Sequence, residues 1–550
     1  MPVVPAQRSV AGQKGCCRFP LERPGETKGR KRVAINTQRT PIGRISAYPA
    51  ETVPALAALM DELDRQRVRY CSWKSNEHLS EALAGRTDVD LLVDAEQLER
   101  FRQILEDHRV KPLTPPPRQA FPGMEHYLGF DRPSGRLFHL HVHDRLVLGD
   151  RYVKNHRIPM ERAFLESRRK LGGVPVPAPE LELGVLSVRA LLKYRARDVV
   201  KDALKIRSPG IPDSIRDEIV WLSLRTSTNE VANAFHPGGI VPPDLLGDFL
   251  ATYAHDPRSG LVFLALRTRL RSALRTLQRE SRLRGGIRYL GTTWDRRTRL
   301  RRHPVDVRMK PAAGGRAIAF VGADGSGKST VTGELAEWLG WKLQVRTYYM
   351  GSKDPSVASR WSYLAFRALR RGHRDLGRRF GADSVVASPV RGARDVMLSL
   401  HHLSIGLDRG RRFRDARRDV ESGRLVLFDR FPLETLSGDP DHRLLDGPQI
   451  ASVVPALGPV TRRLARFEEG MYGRFHLPHH LVVLEVNPDI SLARKPDHRS
   501  EVLAAKSAAV AELATLAEAA QPPVHVIRVD ADQALDAVLL EVKAGVWDVI

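Results

Sequence analysis

The sequence predicts an α/β chain that ends in a doubly wound parallel sheet, preceded by a smaller α+β unit and a helical, arginine-rich connector. Three observations carry this. Short apolar runs at 316–321, 425–428, 481–486 and 524–529 alternate with helical periodicity, the pattern of a buried parallel sheet. A glycine-rich loop, Gly322–Ser329, sits between the first of these runs and a helical stretch over 331–339. Period-two alternation at 88–93 marks a strand of a separate, earlier unit.

The chain has 550 residues, more than one ordinary core, so two or three domains are expected. A hydrophobic content of 42% is that of a globular protein. The formal charge is +24, which favours acidic partners: nucleotides, nucleic acid, phosphorylated carbohydrate or an anionic surface. Between Arg267 and Arg302 thirteen arginines face only Glu280 and Asp295, a net +11. That stretch can dock on phospholipid or nucleic acid; a solvated helical connector is the alternative. Cys16, Cys17 and Cys71 make no zinc or disulfide framework, and no apolar run approaches about 18 residues. A cytoplasmic protein without a transmembrane segment is expected. The basic stretch 1–52, rich in Pro, Gly and Arg, reads as disordered and carries no secretory h-region.

Ordered pattern begins at Val53, with Leu56, Leu59, Met60 and Leu63 at helical spacing. A strand over 69–73, the strand at 88–93, a helix over 97–108 and a strand over 136–143 follow. A longer helix over 181–197 closes a unit spanning 53–205. Residues 206–314 read as helical region and basic connector, punctuated at the end by Pro304, Pro311 and Gly314-Gly315. The final unit covers 315–550.

The loop Gly322-Ala323-Asp324-Gly325-Ser326-Gly327-Lys328-Ser329 has the chemistry of a phosphate cradle. Glycines let the backbone curl around an anion, and successive N–H groups with the positive end of the next helix face it. Lys328 would reach the β- and γ-phosphates of ATP, and Ser329 would offer its hydroxyl to Mg²⁺. Thr330 begins the helix. The strand Leu425–Phe428 ends in Asp429-Arg430, where parallel sheets place ligands. Asp429 there can hold Mg²⁺ and Arg430 can clamp a phosphate; a surface salt bridge is the plainer alternative.

These residues resemble the thymidylate kinase family. Phe320–Thr330 is similar to its loop, Gly423–Phe431 to its strand ending in Asp-Arg-aromatic, and Leu407-Asp408-Arg409 to its Asn/Asp-Arg pair on the preceding helix. The resemblance covers 315–550 and implies a P-loop NTPase fold with γ-phosphate transfer to a nucleoside monophosphate or other small phosphorylated acceptor. It implies that Arg409 and Arg430 hold the acceptor phosphate, that Asp429 organises Mg²⁺, and that Arg494 and Lys495 lie in a mobile basic lid. Solvated charges on a helix end are the alternative for that last pair. Two segments depart from the family. Thr347–Ser352 stands where an Arg-Glu-Pro-Gly segment is usual, and Pro432–Asp439 replaces the thymine-reading helix. The phosphate machinery is present without the base-reading parts.

Trp73-Lys74-Ser75-Asn76 followed by Asp88-Val89-Asp90 resembles the nucleotidyltransferase superfamily over 53–205, with Asp88 and Asp90 as its implied metal carboxylates. Period two puts both on one strand face. Here Lys74-Ser75 replaces a Gly-Ser turn, and His139 stands where a third acid is usual. His139, His141 and His143 share a face, so a transition-metal site or a polar cleft strand are both open. Three functions follow as expectations: a phosphotransferase, an ATP-switched regulatory module, or nucleotidyl transfer by the N-terminal unit. The implied partners are a phosphorylated acceptor, an anionic surface at 267–302, and a second copy of the chain in a homodimer.

Overall fold

The structure is a computed structural model and describes residues 48–550 apart from 118, 150–151, 205–210, 236–238, 303, 353–354, 382–383, 434–445, 455–457 and 498. The expected disorder of 1–52 lies outside the described residues up to 47, as do most of the Pro432–Asp439 segment, Cys16 and Cys17.

Strands β1 (Tyr70–Ser72), β2 (Asp88–Val93), β3 (Lys111–Thr114), β4 (Met124–Asp131) and β5 (Arg136–His143) build the first sheet. Its order is β1-β2-β5-β4-β3, with β2 and β5 parallel and the other pairs antiparallel. The helices Pro54–Arg65 and Leu98–Asp107 bury Leu56, Leu59, Leu63, Phe101 and Ile104 against one face, as their spacing requires. β4 was not foreseen. Six of its eight residues are buried in succession, so it shows no polar alternation. Two small hairpins, β6 (Val147–Leu148) with β7 (His156–Arg157) and β8 (Arg169–Leu171) with β9 (Val174–Val176), follow.

The long helix expected over 181–197 is two helices, Pro179–Lys193 and Ala196–Ala203. Tyr194 is extended at the break, its hydroxyl donating to Asp202, while Asp198 accepts the Arg195 N–H and restarts the helix as an N3 carboxylate. Helices at Asp213–Ser223, Pro243–His255 and Gly260–Ala273 pack around Pro179–Lys193 in one core that also takes Trp73 and Leu92 of the first sheet. The helix Arg282–Arg302 follows. Next comes β10 (Lys310–Pro311), which lies within the expected connector yet pairs with β3 and completes a six-stranded sheet.

The last sheet contains β11 (Arg316–Gly322), β12 (Val345–Tyr349), β13 (Leu425–Asp429), β14 (His480–Glu485) and β15 (His525–Asp530). All are parallel, in the order β12-β13-β11-β14-β15. From β11 the chain crosses to the edge at β12, returns inward to β13, and then passes to the other side of β11 for β14 and β15, which makes the carboxyl end of β11 a topological switch point. The two sheets share a core. Phe130 of β4 meets Trp338 and Trp547 at ring-centroid distances of 5.3 and 5.5 Å, and the Trp338 indole N–H donates to the Gly135 carbonyl at 3.0 Å. No helix among the described residues is long and apolar enough to cross a membrane.

Candidate functional site

The loop after β11 runs directly into the helix Lys328–Gly340. Gly327, at the helix N-cap, has φ 86°, which a side chain tolerates poorly. A Cβ on Gly322 would come within 2.6 Å of the Leu484 carbonyl oxygen, so the tight curl needs glycine there. Lys328 is buried. Its ammonium donates to the carbonyls of Gly322 at 2.9 Å and Ala323 at 2.6 Å, folding into the hollow of the loop. Burial, reinforced by the Arg430 charge, pushes its pKa down to about 8. An anionic ligand would reverse both effects. Ser329 and Thr330 are exposed in the first helical turn.

Parallel pairing sets Asp429 level with Phe320, two residues before the loop. Arg430 then turns back with φ 73°, an unfavourable value for a residue with a Cβ, and donates its N–H to the Phe320 carbonyl at 3.1 Å. This conformation aims its guanidinium across the loop, 3.4 Å from Asp324 and 3.1 Å from Asp446. Asp324 also pairs with Lys506 at 2.5 Å. Burial alone would raise the Asp324 pKa, but Lys506 and the neighbouring cations hold it down at about 2. Asp429 keeps one carboxylate oxygen buried without a hydrogen-bond partner among the described residues. That orphaned oxygen and the Ser329 hydroxyl are hard donors that fit Mg²⁺.

Arg409 is buried on the long helix Ser388–Glu421. It donates to the Tyr472 hydroxyl at 2.6 Å and pairs with Asp446 at 3.3 Å, so Arg409 and Arg430 share one carboxylate. Its neighbour Asp408 does different work: it accepts from the Ser356 N–H at 2.9 Å and the Ser359 hydroxyl at 2.7 Å, fixing the start of the helix Val357–Phe380. Arg409 and Asp446 line an open cavity of about 720 Å³ together with Tyr363, His402 and Tyr472. Asp446 and Arg430 also line a narrow cleft against Gly322 and Lys328, so Asp446 borders both the loop and the cavity. Burial, then His401 and Arg409, pushes His402 down to about 4. Arg494 lies at the rim, 3.3 Å from the Gly325 carbonyl, and Lys495 is exposed beside it. Sequence reading passed over Asp446, Lys506 and Tyr472. None carries a local motif, and their role exists only in the assembled sheet.

The N-terminal candidates also come together, in a different state. The β2–β5 register sets Asp88 opposite His139 and Asp90 opposite His141. Asp88 meets His139 Nδ1 at 2.8 Å and the Lys342 ammonium; Asp90 meets Lys74 at 2.7 Å and His141 at 3.2 Å. Burial opposes ionisation of Asp88, yet the His139 hydrogen bond and the nearby cations hold it below the usual carboxylate range. In the turn between β1 and β2 the Ser75 N–H donates to Glu218 at 3.0 Å and the Asn76 side-chain amide to Glu182 at 3.0 Å. His126 on β4, which sequence reading missed, faces His141 across the sheet. His126, His139 and His141 each offer a ring nitrogen, all within 4.8 Å of one another, which is the chemistry and spacing of a transition-metal ligand set. His143 is buried against Trp73, outside that set.

A strand–loop–helix cradle at the switch point of a five-stranded parallel sheet, with arginines gathered opposite it, defines a P-loop nucleotide-binding fold. No family model matches the chain. It is 30% identical over 184 residues to the uncharacterized ATP-binding protein YghR of Escherichia coli strain K12, a span covering 33% of this chain and 69% of that protein. The chain belongs to the YghR family. It is also 28% identical over 206 residues to the uncharacterized ATP-binding protein YghS of the same strain, 36% of this chain and 81% of that one. Among solved structures, deoxyadenosine kinase from M. mycoides with bound dCTP aligns at 13% identity and a TM-score of 0.26, covering 42% of this chain and all of that one. A likeness that distant assigns neither fold nor residues.

Proposed function

We propose that residues 315–550 form an ATP-dependent phosphotransferase that passes the γ-phosphate to a small phosphorylated acceptor seated in the cavity beside Arg409. The observation that carries this reading is Asp446. Its carboxylate bridges Arg409 and Arg430 between the loop and the cavity, where an acceptor phosphate would find the same two guanidiniums. An enzyme that only hydrolysed ATP would need no such second anion position.

In this reading Lys328 leaves the loop carbonyls for the β- and γ-phosphates, and Ser329 and Asp429 hold Mg²⁺, which supplies charge neutralisation on the transferring group. Arg430, already strained into place, spans donor and acceptor phosphates and stabilises charge in transit. Arg409 orients the acceptor, with Tyr472 fixing its guanidinium. Arg494 closes over the loop from its rim. The names of YghR and YghS support ATP as the nucleotide.

The test is ADP formation across a panel of nucleoside monophosphates and sugar phosphates, with product mass as readout. One acceptor should raise turnover well above ATP hydrolysis alone, and Arg409→Ala should remove that stimulation. If no acceptor stimulates, the kinase reading fails. A second reading, an ATP-switched module, is favoured by one observation. The helix that starts at Lys328 ends beside Trp341 and Lys342, and Lys342 pairs with Asp88 of the first sheet. ATP binding that perturbs the first sheet without acceptor turnover would support it.

A further inference from the structure

The helix Arg282–Arg302 is docked the wrong way round for a soluble connector. Leu283, Ile287, Leu290 and Trp294 are 75, 64, 69 and 73% exposed. Their spacing of i, i+4, i+7 and i+11 gathers them within an arc of about 60° at 100° per residue. The face turned toward the protein is instead small or polar. Gly285 lies against Val153 and Asn155, Thr292 is buried, and Arg299 pairs with Asp295 at 2.9 Å. Tyr289 packs under Arg195, whose guanidinium stands 4.1 Å from its ring. Ordinary surface helices present the opposite arrangement, apolar face inward.

We propose that this helix seats the protein on an anionic membrane surface, with the stripe Leu283–Trp294 entering the headgroup boundary and its arginines facing the lipid phosphates. Charge complementarity selects that occupant. The helix carries eight arginines against Asp295, net +7, and Arg297, Arg301 and Arg302 are exposed at its C-terminal end. A second copy would bring two such helices face to face, and residues 1–47 hold ten basic against two acidic residues, so both would be repelled. Nucleic acid would satisfy the arginines but give the four large apolar side chains no environment. A basic amphipathic helix with leucine, isoleucine and tryptophan on one side matches the chemistry of an interfacial anchor. At 21 residues it lies about 31 Å along the surface.

The experiment is flotation of the full-length chain with vesicles of phosphatidylcholine alone and of phosphatidylcholine mixed with phosphatidylglycerol. Binding is expected on the anionic vesicles, weak on the neutral ones, and diminished by salt. The triple variant Ile287→Ser/Leu290→Ser/Trp294→Ser should lower partitioning about tenfold or more. Arg297→Gln, Arg301→Gln and Arg302→Gln should each lower it about fivefold at low salt. Tryptophan emission should shift to the blue on binding, and the shift should shrink in Trp294→Phe. Circular dichroism and nucleotide affinity should match the parent, because the substituted residues are exposed. Three outcomes overturn the proposal. One is unchanged flotation of the triple variant. Another is duplex DNA binding, insensitive to that variant, without vesicle binding. The last is a dimer that the variant dissociates, again without vesicle binding.

Discussion

Two polar sites sit at the ends of one helix, and they differ in who supplies the counter-charge. At its start, Lys328 and Arg430 are cations lent to loop carbonyls and to Asp324 and Asp446. At its end, Asp88 and Asp90 are carboxylates held by Lys342, Lys74 and two histidines. With Arg409 and Lys506 the first cluster holds four cations against Asp324, Asp429 and Asp446, an excess of positive charge that an anion completes. The second is closed in charge, since each carboxylate is already paired with one lysine and one histidine. Resemblance in sequence thus says which groups meet, while the neighbouring charges decide whether a ligand is still needed.

The largest effect that sharpens this contrast is on nucleotide binding. Lys328→Ala should weaken ATP binding or turnover by about a hundredfold or more, as loss of a preorganised phosphate contact does. Asp88→Ala/Asp90→Ala should leave ATP affinity within about threefold. Calorimetric titration of the two variants checks both, and equal losses would falsify the division of labour. Next comes the acceptor side. Arg409→Ala removes a charged hydrogen-bonding group of about 1.5–3 kcal/mol, so the acceptor KM should rise about 10–100-fold with ATP affinity little changed. Steady-state kinetics with the stimulating acceptor reads this out.

At the closed site, Lys342→Ala leaves the half-buried Asp88 carboxylate with histidine partners only. Denaturant unfolding should show a loss of about 1–2 kcal/mol, less than for a fully buried pair. An unchanged midpoint would mean that the lysine is not what closes the site. The smallest effect is a pH dependence. Free Lys328 titrates at about 8, below its ordinary value of 10.5. Phosphates favour its charged form, so ATP affinity should be flat below pH 8 and fall by up to about tenfold per unit above it. Without ligand the sign reverses. The unfolded chain holds that proton up to about 10.5, so the fold gains stability as pH rises from about 8 to 10.5. Affinity measured across that range, with buffer ionisation corrected, tests the sign.

Four of the five strands of the last sheet were readable because each is a short apolar run, as at Leu425–Phe428, whereas β12 was not, with Arg346 and Thr347 interrupting its run. The loop was readable because its glycines answer a local backbone demand. β4 and His126 were not, since a strand buried on both faces loses its alternation. Asp446, Lys506 and Lys342 were equally silent. Each acts through partners between 16 and 254 residues distant, a separation that no local pattern encodes.

Phe130, Trp338 and Trp547 come from three distant parts of the chain and interlock where the two sheets meet. β10 adds to this, because an edge of the first sheet is supplied only five residues ahead of the loop-bearing strand. Cutting the gene at this natural-looking seam, just before Arg316, would therefore yield two fragments with bare aromatic faces and would part Met309 from its bridge partner Leu343. Each would aggregate alone, and the pair should regain solubility only when produced together.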